Sequence, residues 1–333
     1  MDVLSDVLGA VRMTGAIFFD IDAGSPWIGE SPETSAIATA IMPGAEHVIS
    51  FHAVLSGSCW AAISNAGAPP VLVDEGDVVL FPTGAPNVLS SAPGVRGVPN
   101  MAMYYRPIDR HLPFSVIHGG DGPERTRFIC GYLGCDKRPF NPLLAALPPI
   151  LIARPPDDGK SWIIDFFRRA ISEGASGRAG GETILAKLSE LMFVEVIRRY
   201  LETLPQDARG WLCALRDPKV GEALRLIHAC PADDWTLNSL ARAVGMSRST
   251  FAERFQHYVE VPPMQYLARW RLQLASRLLE RPGISIAQAG ADVGYESEAA
   301  FNRAFKKFVG APPGIWRKTR GNGSDTAPET RPT

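Results

Sequence analysis

The sequence predicts a two-domain α+β protein: a β-rich sandwich or barrel over residues 1–150, a helical linker over 151–217, and an all-α region over 218–320. Three observations carry this. Short apolar runs punctuated by Gly, Pro, Asn and Ser fill the first 150 residues, the pattern of many short strands. The apolar period then changes to three and four. Residues 218–320 next repeat one order of caps, turn glycine and aromatic anchors. A length of 333 residues accommodates two domains with their own cores.

A hydrophobic content of 46% and a charged content of 21% describe a soluble globular chain. The net charge of −1 hides an asymmetry. Residues 219–320 carry 15 Lys and Arg against 9 Asp and Glu, a surplus of +6, which leaves −7 for the rest. A basic C-terminal region points to phosphates as its partner. The five cysteines are odd in number and form no CxxC, which argues against a disulfide framework and for a reducing compartment, the cytoplasm. Cys130 and Cys135 have no nearby histidine pair, so no metal site is expected. The N-terminus lacks a basic segment followed by an apolar run, and no window of about 20 apolar residues offers a membrane span.

Strands are expected at 37–41, 47–55, 59–63, 71–73, 78–81 and 127–132. The double prolines within 143–157 predict a rigid exit from the β-rich domain. Trp162, Ile163, Phe166, Phe167, Ala170 and Ile171 then share one helix face. Residues 174–181 form a flexible break. Ile184, Leu185, Leu188, Leu191, Met192 and Val196 make a second amphipathic helix. These two helices either pack on their own domain or pair with a second chain. The second option is favoured because tethering two readers raises affinity.

The repeat decides what the C-terminal region is. In the first unit Thr236 caps a helix with Leu237, Leu240, Ala241 and Val244 on its apolar face. Gly245 then turns the chain, Ser247 caps again, and Phe251 and Phe255 anchor the next helix. In the second unit Ser285 caps, Ile286, Ala289, Gly290 and Val293 follow, Gly294 turns, Ser297 caps, and Phe301 and Phe305 anchor. The turn glycines are offset by 49 residues and the anchors by 50, so one residue, Glu296, is inserted in the second turn. Two such units are two helix-turn-helix motifs. Residues 264–280 lie between them, with Tyr266, Leu267, Trp270, Leu274, Leu278 and Leu279 on one face. This helix predicts a strut of about 26 Å, on the order of the roughly 34 Å turn of a DNA duplex.

The stretches S-L-A-R-A-V-G-M-S-R-S-T-F-A-E-R-F, P-M-Q-Y-L-A-R-W-R-L-Q-L-A and A-D-V-G-Y-E-S-E-A-A-F-N-R-A-F-K-K-F-V-G-A-P-P-G-I-W-R resemble the twin helix-turn-helix domain of the AraC/XylS transcription regulators, over residues 219–319. The N-terminal half is similar to the cupin-type effector domain of one branch of that family, with C-G-Y at 130–132 and P-L-L-A-A-L-P at 142–148. Gly76, Pro82 and Gly84 match the second cupin motif, but Asn87 stands where metal cupins place a histidine ligand. An amide is a poor ligand for a transition metal. The departure, with the absence of an HxH run, counts against a cupin-type metal enzyme with a helical appendage. The resemblance thus implies an N-terminal cupin-like β-barrel and a C-terminal all-α twin helix-turn-helix. It further implies a cytoplasmic homodimeric activator without cofactor or enzymatic activity. The implied partners are double-stranded DNA, RNA polymerase and a small-molecule effector. A ligand-independent DNA-binding regulator is the alternative within the same class.

In the first reading helix Arg248, Ser249, Ala252 and Glu253 are the candidate base contacts. In the second they are Glu298, Ala299, Asn302 and Arg303. Arg suits guanine O6 and N7, Asn suits adenine, Glu accepts from cytosine N4, and Ala touches a thymine methyl. Arg254, Lys306 and Lys307 are candidate phosphate contacts, which position without specifying. Relatives often present larger polar or basic readers in the first helix, so its base readout is expected to be modest. Candidate effector-pocket residues are His47, His52, Trp60, Phe81, Asn87, Met101, Phe128 and Tyr132, in or beside strand-like runs. The tail, 321–333, is rich in Gly, Ser, Asp, Pro and Thr and is expected to be disordered.

Overall fold

The computed structural model describes residues 2–64, 66–104, 112–156, 162–174, 179–205 and 208–321. Residues 322–333 of the tail expected at 321–333, and residues 175–178 of the break expected at 174–181, lie outside these residues. The elements in order are α1 (Val3–Ala10), β1 (Thr14–Gly24), β2 (Ile28–Ser31), α2 (Thr34–Ile41), β3 (His47–Ser56), β4 (Ser58–Ile63), β5 (Val71–Asp74), β6 (Val78–Phe81) and β7 (Asn87–Ser90). A 3₁₀ turn, Met101–Tyr104, precedes β8 (Phe114–Gly119), β9 (Arg125–Cys135), α3 (Pro142–Ala146), β10 (Leu151–Ala153), α4 (Trp162–Gly174) and α5 (Gly181–Thr203). The helices α6 (Trp211–Ala214), α7 (Pro218–Ala229), α8 (Leu237–Ala243), α9 (Arg248–Val259), α10 (Pro263–Leu279), α11 (Ile286–Asp292), α12 (Glu298–Val309) and α13 (Pro313–Gly321) complete the chain. Two compact units result. One, the sheet unit, contains residues 12–135 and 147–204; the other, the helical unit, contains 1–11, 136–146 and 205–333.

In the sheet unit the strands form a six-stranded sheet, β10-β6-β3-β9-β1-β8, and a four-stranded sheet, β2-β7-β4-β5. The cupin-like strands therefore stand as two sheets, with one shared core of Val48, Val54 and Phe81 from the first and Ala61, Val73 and Leu89 from the second. Along β3, residues 48–55 are all buried, because both faces of this strand are covered. Phe51 stacks on Phe167 of α4, with ring centroids 6.4 Å apart. Helix α5 packs on β1 so closely that a Cβ at Gly15 would lie 2.4 Å from Ser189 Cβ, so only glycine fits there.

Several strand expectations change here. Residues 37–41 are helical: Ile37 and Ile41, four apart, bury one face of α2. Residues 151–153 are a sheet strand rather than part of an exit segment, since Leu151, Ile152 and Ala153 pair antiparallel with Leu80, Val79 and Val78. Strands β1, β2, β7 and β8 had no expectation. Asp20 and Asp22 break the apolar run of β1, yet they are held across the sheet by Arg127 at 2.8 Å and Arg125 at 2.7 Å. Helices α4 and α5 form as expected, and their buried faces cover their own unit: Ile163, Ile164, Phe167 and Ile171, then Leu185, Leu188, Met192, Phe193, Val196 and Ile197. Trp162, Phe166, Ile184 and Leu191 remain exposed.

The helical unit is assembled on α10. Phe255 packs edge-on against Tyr266, with ring centroids 5.9 Å apart. Phe301, Phe305 and Trp316 form a second cluster with Leu272, Ala275 and Leu279. The predicted caps are present: Thr236, Ser247, Ser285 and Ser297 each accept a backbone N–H from the first turn of their helix. Gly245 and Gly294 turn the chain at φ of 66° and 88°. Arg271 of α10 donates to the carbonyl oxygens of Pro231 at 2.6 Å, Gly294 at 3.0 Å and Asp233 at 2.8 Å. It ties the segment ahead of α8 to the second turn.

Gln273, fully buried on α10, brings two distant segments into this unit. Its Nε2 donates to Ala10 O at 3.0 Å, and its Oε1 accepts from Phe140 N at 3.0 Å. The backbone of the same two segments is joined directly, Asp136 N donating to Val11 O at 2.8 Å. Gln273→Met keeps the volume and leaves a buried carbonyl and a buried N–H without partners. The expected result is a loss of about 2 kcal/mol or more in the unfolding free energy of the helical unit, measured by urea denaturation. An unchanged midpoint would show that the two bonds contribute nothing.

Candidate functional site

Helices α9 and α12 share one construction. Ser247 Oγ accepts from Thr250 N at 3.2 Å, and Ser297 Oγ accepts from Ala300 N at 3.2 Å. The caps set each helix start, and the aromatic anchors set its rotation: Phe251, Phe255, Phe301 and Phe305 are completely buried. The opposite face is then forced outward. Arg248, Ser249 and Glu253 are exposed on α9 and Ala252 is half-buried. On α12, Glu298, Ala299 and Arg303 are exposed and Asn302 is half-buried. Lys306 and Lys307 are exposed in the last turn, and Lys307 Nζ lies 5.7 Å from the centre of the Phe308 ring. The eight candidate base contacts therefore stand on two equivalent helical faces, offset by 50 residues in the chain.

Arg254 has a different environment. Its Nε and Nη2 donate to Asp217 Oδ2 at 3.1 and 2.5 Å. Asp217 also caps α7, accepting from Lys219 N at 3.0 Å and Val220 N at 2.8 Å. Burial pushes the Asp217 carboxyl up, but Arg254 and the two backbone N–H groups outweigh it and hold the acid below its ordinary value. The guanidinium thus pins α9 to the start of α7. Its pairing partner lies 37 residues away and is not visible in local sequence pattern.

A buried polar chain sits behind α9. Trp211 Nε1 donates to Tyr266 Oη at 2.9 Å, and Tyr266 Oη lies 2.9 Å from His228 Nε2. An indole only donates, so the tyrosine hydroxyl accepts from Trp211, and the direction of its bond to His228 Nε2 is set by the imidazole tautomer. The His228 ring stacks on Trp270 at 4.1 Å, and its Nδ1 faces Asp6 Oδ2 at 3.8 Å.

The sheet unit contains a cavity of about 80 Å³. Of the eight candidate pocket residues, His52, Phe128 and Tyr132 line it. Phe81 stands behind His52, with ring centroids 5.9 Å apart. Asn87 is completely buried, and its Nδ2 donates to Ser50 Oγ and to Ala85 O, each at 3.2 Å. His47 Nε2 lies 2.6 Å from Pro82 O. Trp60 is half-buried in β4 opposite Leu72 and Ser90, and Met101 is exposed. These five stand outside the lining. Residues missed by sequence reading complete the cavity, among them Phe19, Trp27, Met103 and Tyr104. Trp27 stacks on Phe128 at 5.2 Å. It follows Pro26 in a turn, where no periodicity marks it.

Around Asn87 the donor set is a hydroxyl, an amide and one imidazole, that of His52, whose Nδ1 lies 2.8 Å from Cys130 Sγ. Hydroxyl and amide groups are weak ligands for transition metals. Among the described residues no group of three or more His, Cys, Asp and Glu is placed to hold a metal ion.

With this geometry in place the comparisons with known proteins can be read. Residues 2–202 match the cupin family and residues 240–319 match the helix-turn-helix domain family. An AraC-like transcription regulator of Streptomyces lividans is 33% identical over 319 residues, covering 96% of this chain and 98% of the relative. The chain belongs to the AraC-like transcription regulators. A further AraC-like regulator, from Streptomyces antibioticus, is 30% identical over 322 residues, covering 96% of this chain and 99% of the relative. The HTH-type transcriptional regulator AlkR of Acinetobacter baylyi is 27% identical over 322 residues, with the same coverage. Helix-turn-helix domains of AraC type bind DNA, and α9 and α12 are the second helices of the two units in this AraC-like chain. Among the described residues no helix is long and apolar enough to cross a membrane.

Both buried imidazoles respond to pH in the same direction. Burial pulls His52 down to about 4 and His228 down to about 3. In the unfolded chain each takes up a proton near pH 6.5, while in the folded protein neither does until far lower. The unfolded state therefore binds more protons between these values, and stability falls as pH drops below about 6.5. The expected NMR result is that the imidazole resonances of His52 and His228 stay at their neutral positions from pH 7.5 to 5. A titration step of either ring within that window would contradict its buried neutral state.

Proposed function

We propose that this AraC-like regulator reads duplex DNA by placing α9 and α12 in successive major grooves on one side of the helix. The observation that carries the reading is the duplicated, capped and outward-facing N-terminal turn, held twice on the single 17-residue strut α10. Such a strut spans about 26 Å, close enough to the roughly 34 Å turn of DNA for two helices to enter neighbouring grooves. Arg248, Ser249, Ala252 and Glu253 contact bases from α9. Glu298, Ala299, Asn302 and Arg303 do so from α12. Lys306 and Lys307 grip phosphates. Arg254 acts chiefly as the pin of α9 and reaches a phosphate only with whatever donor capacity Asp217 leaves.

The reading extends to regulation. The protein acts in the cytoplasm as an activator that engages RNA polymerase, without enzymatic activity of its own. Two copies associate through Trp162, Phe166, Ile184 and Leu191, large apolar side chains on α4 and α5 that their own unit leaves exposed. A small molecule in the cavity of the sheet unit supplies the signal, and it does so by binding two arrangements of the protein unequally.

Two substitutions separate reading from gripping. Arg303→Ala is expected to weaken binding by about 1–3 kcal/mol and to relax preference at one base pair. Lys307→Ala is expected to weaken binding to all sequences alike and to lower the slope of log affinity against log salt by about 0.9. Fluorescence anisotropy over a panel of single-base variants and salt concentrations checks both. An unchanged preference for Arg303→Ala, or an altered one for Lys307→Ala, would reverse these roles.

A further inference from the structure

We propose that the cavity of the sheet unit takes a compact, neutral, largely apolar molecule that presents one hydrogen-bond-accepting oxygen to the indole N–H of Trp27. The inference rests on the reading of this unit as the receiver of a small-molecule signal, and it names the chemistry of that signal.

The first argument is the wall. Phe19, Trp27, Phe128, Tyr104 and Tyr132 face the cavity, with Ile21, Leu89, Met103 and Val116 filling between them. Such a surface rewards apolar contact and offers little to a strongly hydrated solute.

The second argument is charge. Burial leaves the His52 imidazole neutral, at about 4. Burial likewise pushes the Cys130 thiol and the Tyr132 hydroxyl well above their ordinary values, so both keep their protons. Glu30 is the acidic residue of the lining, and its charge is already answered. Arg96 Nε donates to Glu30 Oε2 at 3.1 Å, and Gly97 N donates to the same oxygen at 2.9 Å. The Arg96 bond holds the Glu30 carboxyl below its ordinary value. A carboxylate or ammonium ligand would therefore lose its hydration and meet no free counter-charge.

The third argument is an unmet donor. Trp27 is 4% exposed, and its Nε1 is buried with no hydrogen-bond acceptor in the described structure. A buried N–H left without an acceptor is costly, and an oxygen on the ligand would satisfy it. His52 Nε2 is likewise buried without a bonded partner, but its Nδ1 is bound to Cys130 Sγ at 2.8 Å and the Asn87 side chain acts on the ring, raising its proton affinity.

The fourth argument is size. A cavity of about 150 Å³ admits benzene, and this one offers about 80 Å³. By that measure the cavity as it stands holds roughly three non-hydrogen atoms, and a larger ligand only where the wall yields.

The probes are 2-butanone, butanoate and butylammonium, each of four carbons and different in charge, titrated against the full chain with saturation-transfer NMR. The expected result is that 2-butanone binds in the millimolar range while both ions bind at least tenfold more weakly. In 15N-labelled protein the Trp27 Nε1–H resonance moves with 2-butanone and stays in place with cyclopentane. Trp27→Phe keeps the stack on Phe128, removes the donor, and weakens 2-butanone at least fivefold. Equal binding of butanoate or butylammonium would overturn the claim of neutrality. A Trp27 resonance indifferent to 2-butanone would overturn the assigned acceptor even if the variant fails to fold. Binding to labelled duplex DNA at low salt is measured in the same samples. Intact DNA binding with no 2-butanone binding overturns this inference alone, whereas lost DNA binding with intact 2-butanone binding counts against the regulatory reading alone.

Discussion

A buried amide on α10 fixes the composition of the helical unit. Gln273 has no exposure, so both of its polar atoms need partners inside the protein. It finds them in Ala10 and Phe140, residues separated from each other by most of the sheet-forming chain. Ala10 lies just before β1 and Phe140 just after β9. The two strands that contribute Phe19, Phe128 and Tyr132 to the cavity are thus continuous, through a few residues each, with segments fastened to the strut of the DNA-reading unit.

The same helix explains why the two readers are rigid relative to it. Tyr266 and Trp270 serve the first helix-turn-helix, and Leu272, Ala275 and Leu279 serve the second. Arg271 crosses between them with three bonds to backbone carbonyl oxygens. The candidate reading faces then follow by elimination: with the phenylalanine anchors inside, the residues two positions from Phe251 and Phe301, namely Ser249, Glu253, Ala299 and Arg303, are exposed. The first reader carries an added constraint, because Arg254 is paired with a carboxylate that is itself part of a cap. Its cationic surface is correspondingly smaller than that of α12, where Arg303, Lys306 and Lys307 are all exposed.

What could be read in the sequence was what depends on neighbours in the chain. The caps, the turn glycines and the aromatic anchors of both units act within four residues of each other, so their order alone located α8, α9, α11 and α12. Strand β6, an unbroken apolar run, and the largely apolar β3 were equally plain. Strand β1 was not, because its Asp20 and Asp22 are neutralised by arginines more than 100 residues away. Residues 37–41 looked like a strand because a short apolar run has no period of its own, and burial of one face made it a helix. Gln273, Asp217 and Trp27 carried no signal for the same reason: their roles exist only through partners that the fold brings together. The cupin motif was legible as spacing, with Asn87 standing where metal cupins place a histidine. In the structure that side chain bonds to Ser50 inside the core and does not face the cavity.

The central claim is that two reading helices on one strut address one face of duplex DNA. Selection of bound duplexes from a random pool by the full chain, followed by sequencing, tests it directly. The expected outcome is a site with two blocks of base preference whose centres lie one helical turn, about 10–10.5 base pairs, apart, the block assigned to α12 being the sharper. Enrichment of a single short block, or of two blocks about half a turn apart and so on opposite faces, would contradict the account.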